Sequence, residues 1–307
     1  MDQFNRHPLY RVHTIESIMS SLWDFYKKKF VVLFISSFVL SLALQYLSMA
    51  FNFNELQTIT DPKEMLEKIK GFMLPIVAIS LVSLLCTTIL HYYVIYNPVD
   101  NSNTIFVSFY KSLKYFIPYL IIMVLLAFFG SIAMLLGLLV FIVGVFFALL
   151  YVLTIYLLIL PILMVEGTSI GNAIVRAFTL THREFWSNIG WVAIFIIIIM
   201  VISVVLAGLI LLPFSGGFLK ILSNPSEASN VVDFMSNPFY LILAALSNAL
   251  YLPLLPIFAT ILYFNGKARE EVADSPSVAN EPGKTRVEDL YSKPYSEDNP
   301  EGSENKH

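Results

Sequence analysis

Charged residues are absent from five long stretches of the chain: Phe30 to Asn54, Gly71 to Val99, Tyr115 to Val165, Phe185 to Leu219 and Phe234 to Gly266. About 20 apolar residues suffice to cross roughly 30 Å of hydrocarbon, so every one of these runs can span a bilayer. The third is more than twice that length and must fold back on itself. The pattern therefore predicts an all-α polytopic membrane protein with six transmembrane helices, at about 30–50, 73–95, 116–136, 141–164, 189–212 and 239–264.

Local signals set the ends of these elements. Asp61-Pro62-Lys63-Glu64 offers an N-cap, a proline at the first helical position and an acid in the first turn, which predicts a short helix from Pro62 to about Lys70. Tyr96-Asn97-Pro98 stops the second span and Pro213-Phe214-Ser215-Gly216-Gly217 the fifth. Ser-Asn-Pro occurs twice in the loop before the sixth. The long third run turns near Gly137, with Gly130 and Gly144 as competing sites and a re-entrant arrangement as the alternative.

The segments that lead into the odd-numbered spans look alike. Thr14-Ile15, Thr104-Ile105 and Ser169-Ile170 each put a helix-capping hydroxyl before an isoleucine. Apolar residues then recur at three- and four-residue spacing, with basic residues alongside. The expected architecture is three units, each an in-plane amphipathic helix followed by a transmembrane hairpin, starting near residues 14, 104 and 168. On this reading residues 1–29 are a cytoplasmic N-terminus with an amphipathic helix and 30–265 a six-span membrane domain. Residues 266–307, rich in Asp, Glu, Ser, Pro and Asn, form a disordered cytoplasmic tail, with Tyr291 and Tyr295 as a short docking motif if the tail docks at all.

Composition agrees: 57% of residues are hydrophobic and 13% charged, against about 25% charged in soluble proteins. A net charge of −3 offers nothing to nucleic acid. The single cysteine, Cys86, excludes an intramolecular disulfide and a cysteine-based metal site. Ser48-Met49-Ala50 has the small residues of a leader cleavage site, but the charge-free segment before it is longer than the usual apolar core of about 7–15 residues, which argues against cleavage. Basic residues near the span ends concentrate on the side shared by both termini: Arg6, Arg11, Lys27, Lys28, Lys29, Lys111, Lys114, Arg176, Arg183, Lys267 and Arg269 face only Lys63, Lys68, Lys70 and Lys220. The positive-inside rule then places both termini in the cytoplasm.

Candidate chemistry is sparse. Glu166 abuts the end of the fourth span, where a carboxylate pairs with Arg176 or Arg183, accepts backbone hydrogens from the next helix, or holds a ligand cation or a proton. The two arginines suit a lipid phosphate or plain interfacial anchoring. Gln45, His91 and Asn248 lie within spans, as candidates for intramembrane polar contacts. Ion-coupled transporters usually place acids or bases at mid-membrane, and the sparseness of such groups in these spans counts against that class. No nucleophile–base pair and no metal cluster can be assembled, so the expectation is a non-enzyme without cofactor.

Pro161-Ile162-Leu163-Met164-Val165-Glu166-Gly167, followed by Ala173, Arg176-Ala177, Leu180-Thr181 and Phe185-Trp186, resembles the membrane domain attached to some bacterial glycerophosphoryl diester phosphodiesterases and found in stand-alone integral membrane proteins. Ala177 stands where that family often has serine. Tyr263-Phe264-Asn265 and Lys267-Ala268-Arg269-Glu270-Glu271 resemble its aromatic exit and basic-acidic run. The resemblance does not import the enzyme, whose barrel takes about 250 residues. It implies a protein of the bacterial cytoplasmic membrane, in contact with membrane lipids and with a membrane-protein partner or further copies of itself. The expected role is a lipid-associated scaffold or assembly partner. The alternative is a transporter or lipid-handling permease with a cavity between the hairpins lined by groups such as Gln45, His91 and Asn248.

Overall fold

The computed structural model describes residues 3–49, 61–212 and 237–274. It is helical, with no strand among the described residues. In chain order the helices are α1 (Ile15–Lys28), α2 (Phe30–Met49), α3 (Pro62–Tyr96), α4 (Ile105–Leu138), α5 (Phe141–Glu166), α6 (Ile170–Arg183), α7 (Phe185–Leu211), α8 (Pro238–Tyr251) and α9 (Leu254–Asp274). Six stretches are long and apolar enough to cross a membrane: α2, α3, α4, α5, α7, and α8 with α9. The chain divides after Ala268 into a bundle, Met1–Ala268, and a C-terminal unit, Arg269–His307.

The three predicted units are visible in the caps. Thr14, Thr104 and Ser169 each hold extended backbone, and each side-chain oxygen accepts from the backbone N–H three residues on, at 3.4, 3.5 and 3.5 Å. Ser17 closes the first into a capping box by accepting from the Thr14 N–H at 2.8 Å. Burial then follows one register. Counting from the cap, positions four, eight, eleven and twelve are buried in α1 (Ile18, Leu22, Phe25, Tyr26) and in α6 (Ala173, Ala177, Leu180, Thr181). In α4, Ser108 and Ser112 are buried at four and eight, with Tyr115 and Phe116 half-buried at eleven and twelve. Such an offset pattern is the inward stripe of an amphipathic helix.

The units differ in how the capped helix joins its span. α1 and α6 are both 14 residues long and end at a single residue off helical geometry, Lys29 (φ −111°, ψ 14°) or Glu184 (φ −134°, ψ 59°). In the second unit there is no such break, and α4 runs for 34 residues from Ile105 to Leu138. Pro118, its fourteenth residue, marks the equivalent place by removing one ladder hydrogen bond. The separate short helix expected at Pro62–Lys70 is likewise the first part of the 35-residue α3. The fifth span starts at Phe185, earlier than the expected 189, because Glu184 ends the preceding helix.

Spans three and four turn at Leu139-Val140, where both N–H groups bond back to Leu136 and Gly137 carbonyls. The close pass of α4 and α5 below the turn leaves no side-chain room: a Cβ on Gly137 would lie 2.8 Å from the Gly144 carbonyl oxygen. Phe141 pays for the tight reversal with a positive φ of 59°.

The sixth span is not one helix. α8 ends at Tyr251 and α9 begins at Leu254, because Pro253 and Pro256 strip two carbonyls, those of Ala249 and Leu252, of their helical donors. The Leu250 carbonyl takes the Tyr26 hydroxyl at 2.7 Å, and burial pushes that phenol up to about 12. α9 continues as helix to Asp274, past residue 266 where the tail was expected to begin. The rest of that tail, with Tyr291 and Tyr295, and the loop before the sixth span up to Ser236 lie outside the described residues, while Asn237 and Pro238 of the second Ser-Asn-Pro cap and open α8.

The spans close into a ring. α2 packs on α3, α3 on α4, α4 on α5, α5 on α7, α7 on α8, and α8 returns to α2. The core is built from the C-terminal parts of α3 and α5 and the first half of α9, through residues such as Val94, Ile162 and Phe258, all at or near zero exposure.

Candidate functional site

Three charged side chains, Glu166, Arg176 and Lys267, meet at one corner. α5 ends at Gly167, whose φ of +60° is the left-handed C-cap that glycine reaches without strain. That turn leaves Glu166, the last residue of α5, facing both α6 and α9. Its Oε1 accepts from Arg176 Nε at 3.2 Å and from the Tyr263 hydroxyl at 3.0 Å, with Lys267 Nζ at 3.9 Å. The Glu166 and Lys267 side chains are mostly buried and Arg176 about a fifth exposed. One carboxylate thus joins three helices. Of the two candidate arginines, Arg176 pairs with Glu166; Arg183 ends α6 on the exposed side.

Polar side chains also take up helix-end carbonyls near this corner. Tyr96 and Tyr115 both donate to the Met164 carbonyl, at 2.6 and 3.3 Å. Asn188 of α7 donates to the carbonyls of Leu180 and Thr181 in the last turn of α6, at 2.9 and 3.3 Å. These groups satisfy acceptors that a helix end cannot satisfy itself. The segment before α1 closes over the same end of the bundle. His7 Nδ1 accepts from the Leu9 N–H at 3.1 Å, so Nε2 carries the proton it gives to the Val94 carbonyl at 3.2 Å. Burial drives the His7 imidazole down to about 4. Asn265 accepts from the His13 N–H at 2.8 Å, and the Phe264 ring lies tilted against His7 and edge-on to Tyr10.

The intramembrane candidates stay apart. His91, almost fully enclosed, bonds to the Thr87 carbonyl of its own helix at 2.9 Å. Asn248 accepts from the Tyr251 hydroxyl at 2.6 Å, one turn before the break in the sixth span. Gln45 is half-buried on α2. No hydrogen bond joins these three residues among those described.

Two clefts open on the sides of the bundle. One, of about 310 Å³, lies between α5, α7 and the α8–α9 break, lined by Leu157, Phe195, Ile199, Tyr251 and neighbours. The other, of about 290 Å³, lies between α4, α5 and α6, lined by Ile122, Leu125, Phe129, Ile159, Phe178 and neighbours. Neither is lined by Gln45, His91 or Asn248. No group of three or more His, Cys, Asp or Glu suited to a metal ion occurs among the described residues.

Sequence reasoning found Glu166 and Arg176 but missed Tyr263, Lys267, Tyr96, Tyr115 and Asn188. The sequence carries no local signal for the tyrosine contacts, which arise from packing between helices distant in the chain. No protein-family model, curated protein or solved structure matches the chain.

Proposed function

We propose that this multi-pass protein is a non-enzymatic, lipid-associated scaffold or assembly partner of the bacterial cytoplasmic membrane, with both termini in the cytoplasm. The observation that carries the reading is the Glu166 corner. There one carboxylate holds a guanidinium, an ammonium and a phenol across α5, α6 and α9, an arrangement suited to fixing helix ends. The apolar clefts add support, since they offer hydrocarbon contact and no polar binding surface. All four corner residues fall in the two segments that resemble the phosphodiesterase-associated membrane domain, and we extend the proposal to kinship with that domain.

The transporter reading has one observation in its favour, the broken sixth span beside Asn248, because discontinuous helices form substrate sites in many transporters. Capture of the full chain from its native membrane in mild detergent, with mass spectrometry of lipid and protein, tests the choice. A membrane-protein partner at fixed stoichiometry is expected. Solute transport by the reconstituted protein, lost on Glu166→Gln at unchanged abundance, would overturn the scaffold.

A further inference from the structure

The cleft between α4, α5 and α6 has a built-in polarity. Its walls are aliphatic and aromatic: Ile122, Leu125 and Phe129 on α4, Ile159 on α5, and Ile174 with Phe178 on α6. These α4 and α5 residues lie in stretches able to cross a membrane, and the cleft is open at its edge, where Leu125, Phe129 and Phe178 are exposed. Hydrocarbon is therefore what meets it. Its 290 Å³ takes roughly ten methylenes if each fills about the 30 Å³ of a water, whereas an α-helix about 10 Å across does not fit.

At one end of this cleft stands a cation. Lys114 is eight residues before Ile122, about 12 Å along the helix, and eleven before Leu125, so it shares a face with the cleft wall. Lys114 is exposed, and its Nζ rests 4.7 Å from the centre of the Tyr115 ring. α6, which walls the other side, carries Arg176, His182 and Arg183 and no acidic residue. Lys114 and the far wall residue Phe129 are about 22 Å apart along α4, compared with about 15 Å for half of the hydrocarbon.

We infer that this cleft binds an anionic phospholipid of the bilayer, with one acyl chain between α4, α5 and α6 and the phosphate at Lys114. The inference deepens the lipid-associated reading and rests on it. The site holds one lipid in an ordered position, distinct from the lipid that coats the outer faces of the spans.

The test uses the full chain in vesicles of phosphatidylethanolamine and phosphatidylglycerol, the latter carrying a diazirine at mid-chain. Label is expected on the peptides bearing Ile155, Ile159 and Phe178, in excess of that around Val204 and Val205, which are exposed on α7. Leu125→Trp, at the open edge, should fill the cleft and abolish the excess. Lys114→Glu should weaken it at least about five-fold, the effect of one basic group at an anionic surface, with unchanged thermal stability. A photoreactive leucine analogue at position 125 should yield a phospholipid adduct. An adduct to a second copy or another protein, equal label on both faces, or label indifferent to Leu125→Trp would overturn the cleft. Those failures leave the scaffold reading standing, because its own test is the partner census.

Discussion

Replacing Glu166 by Gln keeps an oxygen that can accept from Arg176 and Tyr263 but removes the charge that two cations share. At an effective dielectric constant of about 20, contacts of 3.2 and 3.9 Å correspond to gross attractions of about 5 and 4 kcal/mol. Desolvation offsets most of this, and breaking a fully buried pair costs about 3–5 kcal/mol. Here the side chains retain 10–22% exposure, so water screens part of the loss and about 2–3 kcal/mol is the expected net cost for Glu166→Gln. Arg176→Ala leaves the carboxylate with Lys267 and Tyr263 and should cost less, about 1–2 kcal/mol. The double variant should lie within about 0.5 kcal/mol of Glu166→Gln, because the second change removes a partner whose pairing is already lost. Thermal unfolding of the detergent-solubilised protein reads these as a fall of about 5–10 °C for Glu166→Gln, with co-purified lipid unchanged. Near-additive losses, or a larger effect from Arg176→Ala than from Glu166→Gln, would refute the shared-carboxylate account.

Three further outcomes are expected. His7 titrates near 4 when folded and near 6.5 when unfolded, so the unfolded chain binds the extra proton in between; stability should be full above pH 6.5 and fall by about 3 kcal/mol as pH drops to 4. Unfolding followed against pH checks this, and His7→Gln should flatten the dependence. At the α4–α5 turn, Phe141→Gly should stabilise by about 1 kcal/mol by relieving the positive φ, while Gly137→Ala should destabilise, since its Cβ would press on the Gly144 carbonyl; melting of both variants decides it. In a Cys86→Ser background, a cysteine at Ser223 should react with an impermeant reagent in intact cells and one at Ser277 should not, the reverse sinking the proposed orientation.

Much of the fold was legible because charge and apolarity separate cleanly along this chain. The three hydroxyl caps could be read because each precedes an apolar stripe at helical spacing, and the breaks at Lys29 and Glu184 fall on the last charged residue before a charge-free run. Helix continuity was harder to read. Pro75, Pro118 and Pro161 all sit inside helices, so one proline does not end a span, and neighbouring helices can absorb the lost bond. The pair Pro253 and Pro256 does interrupt the helix, because two carbonyls lose donors within one turn. At the corner, Glu166 and Arg176 are ten residues apart and of opposite charge, which made them candidates. Tyr263 is 97 residues from Glu166, and nothing in its neighbourhood announces the contact; only the packing of α9 against the end of α5 brings it there.

Ring closure through α2 and α8 sets a timetable for biogenesis. The hydrogen bond from His13 to Asn265 joins residues 252 apart in sequence. At about 5–20 residues per second, ribosomes need roughly 10–50 s to make that stretch. Throughout this interval the flank of α2 reserved for α8 faces lipid or an insertion factor, and the backbone N–H of His13 waits for its acceptor. A nascent chain cut short before its last span would thus carry five inserted helices and an open seam, a form that quality-control proteases of the membrane could recognise by that seam alone.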